Sequence, residues 1–218
     1  MQQENVLMGI MHEIKNTTAT MNGFLQLLAK RVHNDDCIQR YVQILFNELN
    51  ALERLIGDGF YLCQMEEVSF RRCDMVEILE GIGKRAALIA EEKGSRIHVK
   101  TRPCPPIDGV PVLLRQLLWN LVENALAALS KSGEITLELT TGKDGWLRIA
   151  CCDTGAGITA ADLTQIFCFD FTTKTNGMGL GLPFCRQIAK LHGGQLDVES
   201  KPGVGTCFIL HLPITKDR

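Results

Sequence analysis

Two apolar seams near the N-terminus set the first limit on what this chain can fold into. Leu7, Ile10, Ile14, Thr17, Met21, Phe24 and Leu28 recur at spacings of 3-4-3-4-3-4. Ile38, Val42, Leu45, Leu49, Leu52 and Ile56 recur at 4-3-4-3-4. Such spacing puts one narrow apolar stripe on each of two long helices, spanning about residues 3–65. The polar run His33-Asn-Asp-Asp36 connects them, with Asp35 or Asp36 as the N-cap candidate. A helical hairpin with one seam per helix buries too little to stand alone. A second copy can cover the seams in a dimeric four-helix bundle, or the rest of the chain can. The dimer is the economical solution.

After Met65 the periodicity changes. Ser69–Arg72, Ile97–Lys100, Glu134–Thr141, Trp146–Cys152, Gln195–Ser200 and Thr206–Leu212 read as strands. Helices are expected from Asp74, as N-cap, to about Glu92, over Val112–Ser130, and over Leu182–His192, which Gly193-Gly194 ends. Pro103–Pro111 holds four prolines and reads as a loop. The expected organisation is α+β: a helical hairpin over residues 1–66, then an α/β domain over 69–214.

The formal charge of −2 has mixed signs, so no basic field recruits nucleic acid or anionic lipid. No apolar run approaches membrane-spanning length, and a cytoplasmic setting is expected. The nine cysteines are odd in number and contain no C-x-x-C pair. That pattern argues against a disulfide framework and a structural zinc site. They read as small core side chains, with a redox pair at Cys151-Cys152 as the lesser alternative.

Asp153-Thr-Gly-Ala-Gly-Ile158 and Gly177-Met-Gly-Leu-Gly-Leu182 are the chemically informative stretches, with Thr172-Thr-Lys174 between them. Gly155 and Gly157 let backbone approach a flat ligand that a Cβ would block. Gly177, Gly179 and Gly181 can present successive N–H groups at the start of a helix, where the dipole favours phosphate oxygens. Either element alone is as readily a turn. In this order, beside a carboxylate and a lysine, they point to a nucleotide.

The helix expected over Val112–Ser130 is apolar around most of its circumference. Its polar stripe is Gln116, Asn120, Glu123 and Asn124. Two amides four residues apart present two hard oxygen donors on one face, suited to Mg²⁺ with phosphates completing the shell. On the first seam helix, His12 falls on the outermost face, with Glu13 beside it and Asn16 one turn on. Neutral imidazole is a nucleophile near neutral pH, and a neighbouring carboxylate can orient it. An exposed histidine on a helix is the plainer reading until the nucleotide site supplies a phosphoryl group.

Together these motifs resemble the catalytic core of two-component sensor histidine kinases, over nearly all 218 residues. His12-Glu-Ile-Lys-Asn16 resembles the H box and Asn120-Leu-Val-Glu-Asn-Ala125 the N box. Asp153–Ile158 and Gly177–Leu182 resemble the two G boxes. Ile166-Phe167 with Phe171-Thr-Thr-Lys174 resembles the F box, and Gly203–Phe208 the closing segment. The short lid after Lys174 is similar to the nitrogen-regulation and sporulation branch.

The resemblance implies a Bergerat-type α/β sandwich, shared with GHKL ATPases, behind a homodimeric hairpin. It implies ATP and Mg²⁺ as cofactors, and a response-regulator receiver domain as partner. A sensor region or sensory partner is expected outside this chain. His12 would be autophosphorylated and pass its phosphoryl group to a receiver aspartate. Glu13 would be base or orienting carboxylate, and Asn16 a positioning group. Asn124 would hold Mg²⁺, with Asn120 supporting metal or phosphates. Asp153 would accept from the adenine amine, beside Gly155, Gly157, Ile158 and Thr206. Thr173 and Lys174 would reach the phosphates, and Gly177, Met178, Gly179, Leu180 and Gly181 would close over them.

Thr17 stands where many H boxes have proline, Cys168-Phe-Asp170 where Glu-Pro-Phe is usual, Met178 for threonine or serine, and Val110 for aspartate. The rival reading is a GHKL-type ATPase or clamp without histidine phosphotransfer; a scaffold with a degenerate site is the other. Glu13-x-x-Asn16 also fits a phosphatase toward the regulator.

Overall fold

The computed structural model describes residues 69–130, 132–142, 145–168, 171–172 and 181–214. It also describes residues 18, 20, 21, 23–26, 28, 38, 40–42, 44, 45 and 49, all helical. The chain divides into two compact units, 1–68 with 172–180, and 69–171 with 181–218. In the first unit, Thr18, Leu25 and Val42 are buried, while Met21, Phe24, Leu28, Ile38, Tyr41, Ile44 and Leu45 are exposed.

The second unit has two layers. Its strands are β1 (Arg71–Cys73), β2 (Arg96–Thr101), β3 (Ile107–Gly109), β4 (Glu134–Thr141), β5 (Trp146–Asp153), β6 (Gln195–Lys201) and β7 (Gly205–Pro213). Its helices are α1 (Met75–Glu92), α2 (Pro111–Ala128), the single turn α3 (Ala160–Leu163) and α4 (Gly181–Leu191). A five-stranded sheet runs in the order β2-β4-β5-β7-β6, and β1 pairs with β3 apart from it. Only the β2–β4 pairing in the larger sheet is parallel. A parallel pair needs a crossover, and β3 with α2 lies between those strands in sequence.

Alternation decides the faces. Ile135, Leu137 and Leu139 of β4, with Leu147, Ile149 and Cys151 of β5, are buried toward the helices. Thr136, Glu138 and Arg148 lie half-buried on the other face. α1 packs on β2 and α2; α2 packs on β4, β5 and α4; α4 packs on β6 and β7. Eight side chains of α2 are buried, from Leu113 to Leu126. Each leucine or valine among them contributes about 2 kcal/mol.

Helix ends follow local chemistry. Asp74 caps α1, its carboxylate accepting from Val76 N–H at 2.9 Å and Glu77 N–H at 3.2 Å. Pro111 occupies the first turn of α2, where its missing N–H costs nothing. No basic residue stands in the last turn of α2, but Lys93 Nζ donates to the Leu126 carbonyl at 3.1 Å. Gly193, at φ 69°, ends α4, and Gly194 N–H returns to the Ala189 carbonyl at 2.8 Å.

Two expectations need correction. The Pro103–Pro111 stretch is not all loop: Ile107–Gly109 is a strand paired with Arg71–Cys73. It starts after the Pro105-Pro106 pair, where N–H groups return and ladder bonds become available. Cysteine pairing also differs. Cys152 is disulfide-bonded to Cys207, 55 residues away, and not matched with Cys151. Adjacent residues on a strand face opposite sides, whereas register puts Cys152 opposite Cys207. Among the described residues no helix is long and apolar enough to cross a membrane.

Asp74→Ala should lower stability by about 1 kcal/mol in urea unfolding, with the slope unchanged, since two N–H groups lose their acceptor. An unchanged midpoint would show that the cap is not used.

Candidate functional site

The C-terminal end of β5 delivers Asp153 to the helix side of the sheet. It is buried, and its Oδ1 accepts from Gly155 N–H at 2.8 Å. Burial pushes its carboxyl up, and hydrogen bonds from the Gly155 and Thr206 backbone oppose that shift. Thr206 stands opposite Asp153 in the β5–β7 register and is also buried.

The loop after Asp153 is held on three sides. Thr154 N–H donates to the Glu134 carbonyl at 3.0 Å, and Ala156 N–H to the Ala128 carbonyl at 3.2 Å. Gly203 N–H donates to the Ala156 carbonyl at 2.8 Å. Ile158 N–H donates to Ser200 Oγ at 2.8 Å, and Ser200 Oγ in turn lies 2.9 Å from Thr206 Oγ1. Asp153, Gly155, Ile158 and Thr206 are therefore brought together around Ser200, a residue the sequence reading passed over. Its position just before the β6–β7 turn, facing β7, was the available signal.

The glycines have a reason within the fold itself. A Cβ on Gly155 would lie 2.6 Å from the Ala128 carbonyl oxygen and 2.8 Å from Asp153 Oδ1. Gly157 has φ 70°, and a Cβ there would strike the Lys201 backbone. Both glycines thus permit close approach of the protein to itself, which fixes the loop.

On α2, Asn120, Glu123 and Asn124 are half-buried among eight buried neighbours. Asn120 Nδ2 is buried with no hydrogen-bond partner. An orphaned buried amide costs about 1–3 kcal/mol, which a polar atom placed beside it would recover. Gly181 opens α4 within about 4 Å: a Cβ on it would lie 3.9 Å from Asn120 Cγ. The N-terminus of an 11-residue helix, the positive end of its dipole, therefore adjoins the Asn120 amide.

α2 and α4 are also joined at the opposite end by His192, which sequence reading treated only as a helix terminus. It is buried; its Nε2 accepts from Val110 N–H at 3.0 Å, and its Nδ1 donates to the Ile188 carbonyl at 2.7 Å. Val110, the N-cap of α2, has no side-chain cap of its own. His12, Glu13, Asn16, Thr173, Lys174, Gly177, Met178, Gly179 and Leu180 lie outside the described residues.

The arrangement has two poles: a buried carboxylate on a pinned loop, and a buried amide beside a helix N-terminus. The first suits a hydrogen-bond-donating ring, the second a polyanion.

Comparison with known proteins bears on this site. Residues 109–216 match the family of histidine kinase-, DNA gyrase B-, and HSP90-like ATPases. The chain is 31% identical over 210 residues to the sensor histidine kinase ZraS of Klebsiella oxytoca, covering 94% of this chain and 45% of that protein. It is 30% identical over 212 residues to sporulation kinase C of Bacillus subtilis (strain 168), covering 96% and 48%. Among solved structures, it is similar to full-length ShkA in complex with AMPPNP, with a TM-score of 0.75 and 25% identity over 96% of this chain and 45% of that one. The catalytic domain of the histidine kinase ThkA gives a TM-score of 0.62 at 27% identity, over 68% of this chain and 97% of that one. This chain spans about half the length of the curated relatives it matches.

Because the folded value of Asp153 lies above the ordinary carboxylate value, its ionisation costs stability, and that cost develops as pH rises through the folded value. Asp153→Asn keeps an acceptor for Gly155 N–H and removes the charge. Thermal unfolding from about pH 3 to about pH 7 should show the variant gaining on the wild type as pH rises. The opposite trend would mean that the carboxylate is stabilised where it sits.

Proposed function

Because the chain belongs to the family of histidine kinase-, DNA gyrase B-, and HSP90-like ATPases and carries the catalytic core of a two-component histidine kinase, we propose that it phosphorylates its own His12 from ATP and passes the phosphoryl group to a response-regulator aspartate. The observation that carries this reading is the extent of the similarity. It runs over 94% of the chain against a sensor histidine kinase, well beyond the ATPase segment 109–216 and into the N-terminal part of the chain.

The site geometry supports the assignment of roles. Asp153 accepts from the exocyclic amine of adenine, with Gly155, Gly157, Ile158 and Thr206 as the wall of that pole. Burial, which makes the carboxylate costly to the fold, also makes it discriminate for a donor. At the other pole Asn120 Nδ2 donates to phosphate, and the Gly181 end of α4 adds the field of a helix N-terminus. The orphaned amide is what a triphosphate would satisfy, so the residues present fit the ligand.

Asn124 is proposed as the protein ligand of Mg²⁺, with Asn120 in support. Mg²⁺ supplies neutralisation of triphosphate charge and is ordinarily held by few protein oxygens plus phosphates. Lys174, Thr173 and the backbone of residues 177–181 are assigned to the phosphates as a lid. His12 attacks the γ-phosphorus through a ring nitrogen while the bond to the β–γ bridging oxygen breaks and ADP leaves, and Glu13 takes a hydrogen bond from the other ring nitrogen. Asn16 positions that pair. Phosphoryl transfer asks for in-line placement and charge neutralisation more than for covalent machinery.

Dimerisation through the N-terminal helices is part of the proposal. Met21, Phe24 and Leu28, and likewise Ile38, Tyr41 and Leu45, are exposed at spacings of three and four residues. Large apolar side chains in such a row are characteristic of a surface meant to be covered. A second copy completes a four-helix bundle over residues 1–66, which precede the ATP-binding domain, residues 69–214. The cytoplasm, which holds ATP and receiver domains, is the compartment this reading requires.

Incubated with γ-labelled ATP and Mg²⁺, the wild-type chain should acquire acid-labile phosphate, and His12→Gln should acquire none. Asp153→Asn should weaken nucleotide binding by about tenfold to a hundredfold, the worth of one hydrogen bond to a charged group. Equal labelling of His12→Gln would sink the assignment.

A further inference from the structure

The outer face of the five-stranded sheet holds chemistry that nucleotide handling does not use. Register aligns Thr136, Cys152, Cys207 and Glu199 in one row across β4, β5, β7 and β6. Cys152 and Cys207 stand directly opposite each other, Cα atoms 3.9 Å apart, and are bonded. Both are half-buried, so small reagents can reach them.

The neighbouring Cys151 points the other way. It is buried beneath the helices, and that burial pushes its thiol far up, which keeps it an inert thiol. Cys73 and Cys185 are buried as well, while Cys104 and Cys168 are free. Among the described residues, Cys152 and Cys207 are therefore the pair placed for reversible bonding. One rung further along the same two strands, Asp153 faces Thr206. The bridge thus adjoins the carboxylate pole of the pocket.

We infer that Cys152 and Cys207 form a reversible oxidation site whose state sets the affinity of the adjoining nucleotide pocket. The oxidant is a low-molecular-weight disulfide and the reductant a dithiol. One cysteine thiolate attacks the small disulfide and releases one small thiol. The second cysteine then displaces the other small thiol and closes the protein disulfide. Two protein thiols are oxidised, and one small disulfide is reduced to two thiols. A dithiol reverses both steps.

In the bonded state the end of β5 is tied covalently to β7. The Asp153–Thr206 rung, and Ser200 and Ile158 attached through Thr206, are held in the arrangement described here. In the reduced state the same rung depends on ladder hydrogen bonds and packing alone. Preorganisation of a site raises its affinity by lowering the cost of ordering it. The disulfide form is therefore the tighter nucleotide binder. This coupling rests on the ATP-site reading; the oxidation site itself does not.

The test uses the full chain, equilibrated across mixtures of oxidised and reduced glutathione. Thiols are trapped by N-ethylmaleimide and mapped by peptide mass, and a fluorescent ATP analogue reads affinity in the same samples. A Cys152–Cys207 link that forms and reverses, with Kd about three- to tenfold lower in the linked form, is the expected result. Cys152→Ser and Cys207→Ser should hold the reduced-form affinity in every mixture. A series with no 152–207 link overturns the oxidation site. A link with equal affinity in both states overturns the coupling. Absence of nucleotide binding in both states overturns the coupling together with the ATP reading, while the disulfide map still decides the oxidation site.

Discussion

The burial of α2 against the sheet is the constraint on which the site depends. From Leu113 to Leu126 it gives eight side chains to the core and keeps only a narrow polar stripe. Truncating one of those leucines to alanine would cost about 2–5 kcal/mol, so the helix has little freedom to turn about its axis. That fixed rotation sets where Asn120 and Asn124 project. The same helix ends at Ala128, whose carbonyl receives the Ala156 N–H of the loop carrying Gly155. One packed element therefore positions the amide pole directly and the carboxylate pole through its last turn.

Much of this was legible from residues. Apolar crowding along Val112–Leu129 told of a buried helix, and its narrow polar stripe marked the half-buried positions Gln116, Asn120, Glu123 and Asn124. The Asp74 cap and the Gly193-Gly194 stop bound their helices as capping chemistry requires. The alternation over Trp146–Cys152 is a strand, and Asp153 ends it, buried. Each of these signals is local: it depends on residues within a few positions of one another.

What sequence did not reveal is non-local. Ile107–Gly109 is a strand only because Arg71–Cys73 lies alongside, and no window around the prolines contains that partner. Cys152 and Cys207 meet because β5 and β7 pair in one register out of several that composition allows. Gly155 and Gly157 were legible as positions needing no Cβ, yet what crowds them is the Ala128 and Lys201 backbone, brought up by tertiary packing. His192 gave no sign of bridging 82 residues to Val110. Its bond gives the Val110 N–H, at the N-cap of α2, a buried acceptor.

The proposed function requires one nucleotide to span both poles of this unit. Amide NMR of the full chain, titrated with a non-hydrolysable ATP analogue and Mg²⁺, tests it most directly. The largest shifts are expected at Asn120, Asn124, Gly155–Ile158, Gly181 and Thr206, with the outer-face positions Glu138 and Arg148 little moved. Shifts confined to one pole, or centred on the outer face of the sheet, would contradict it.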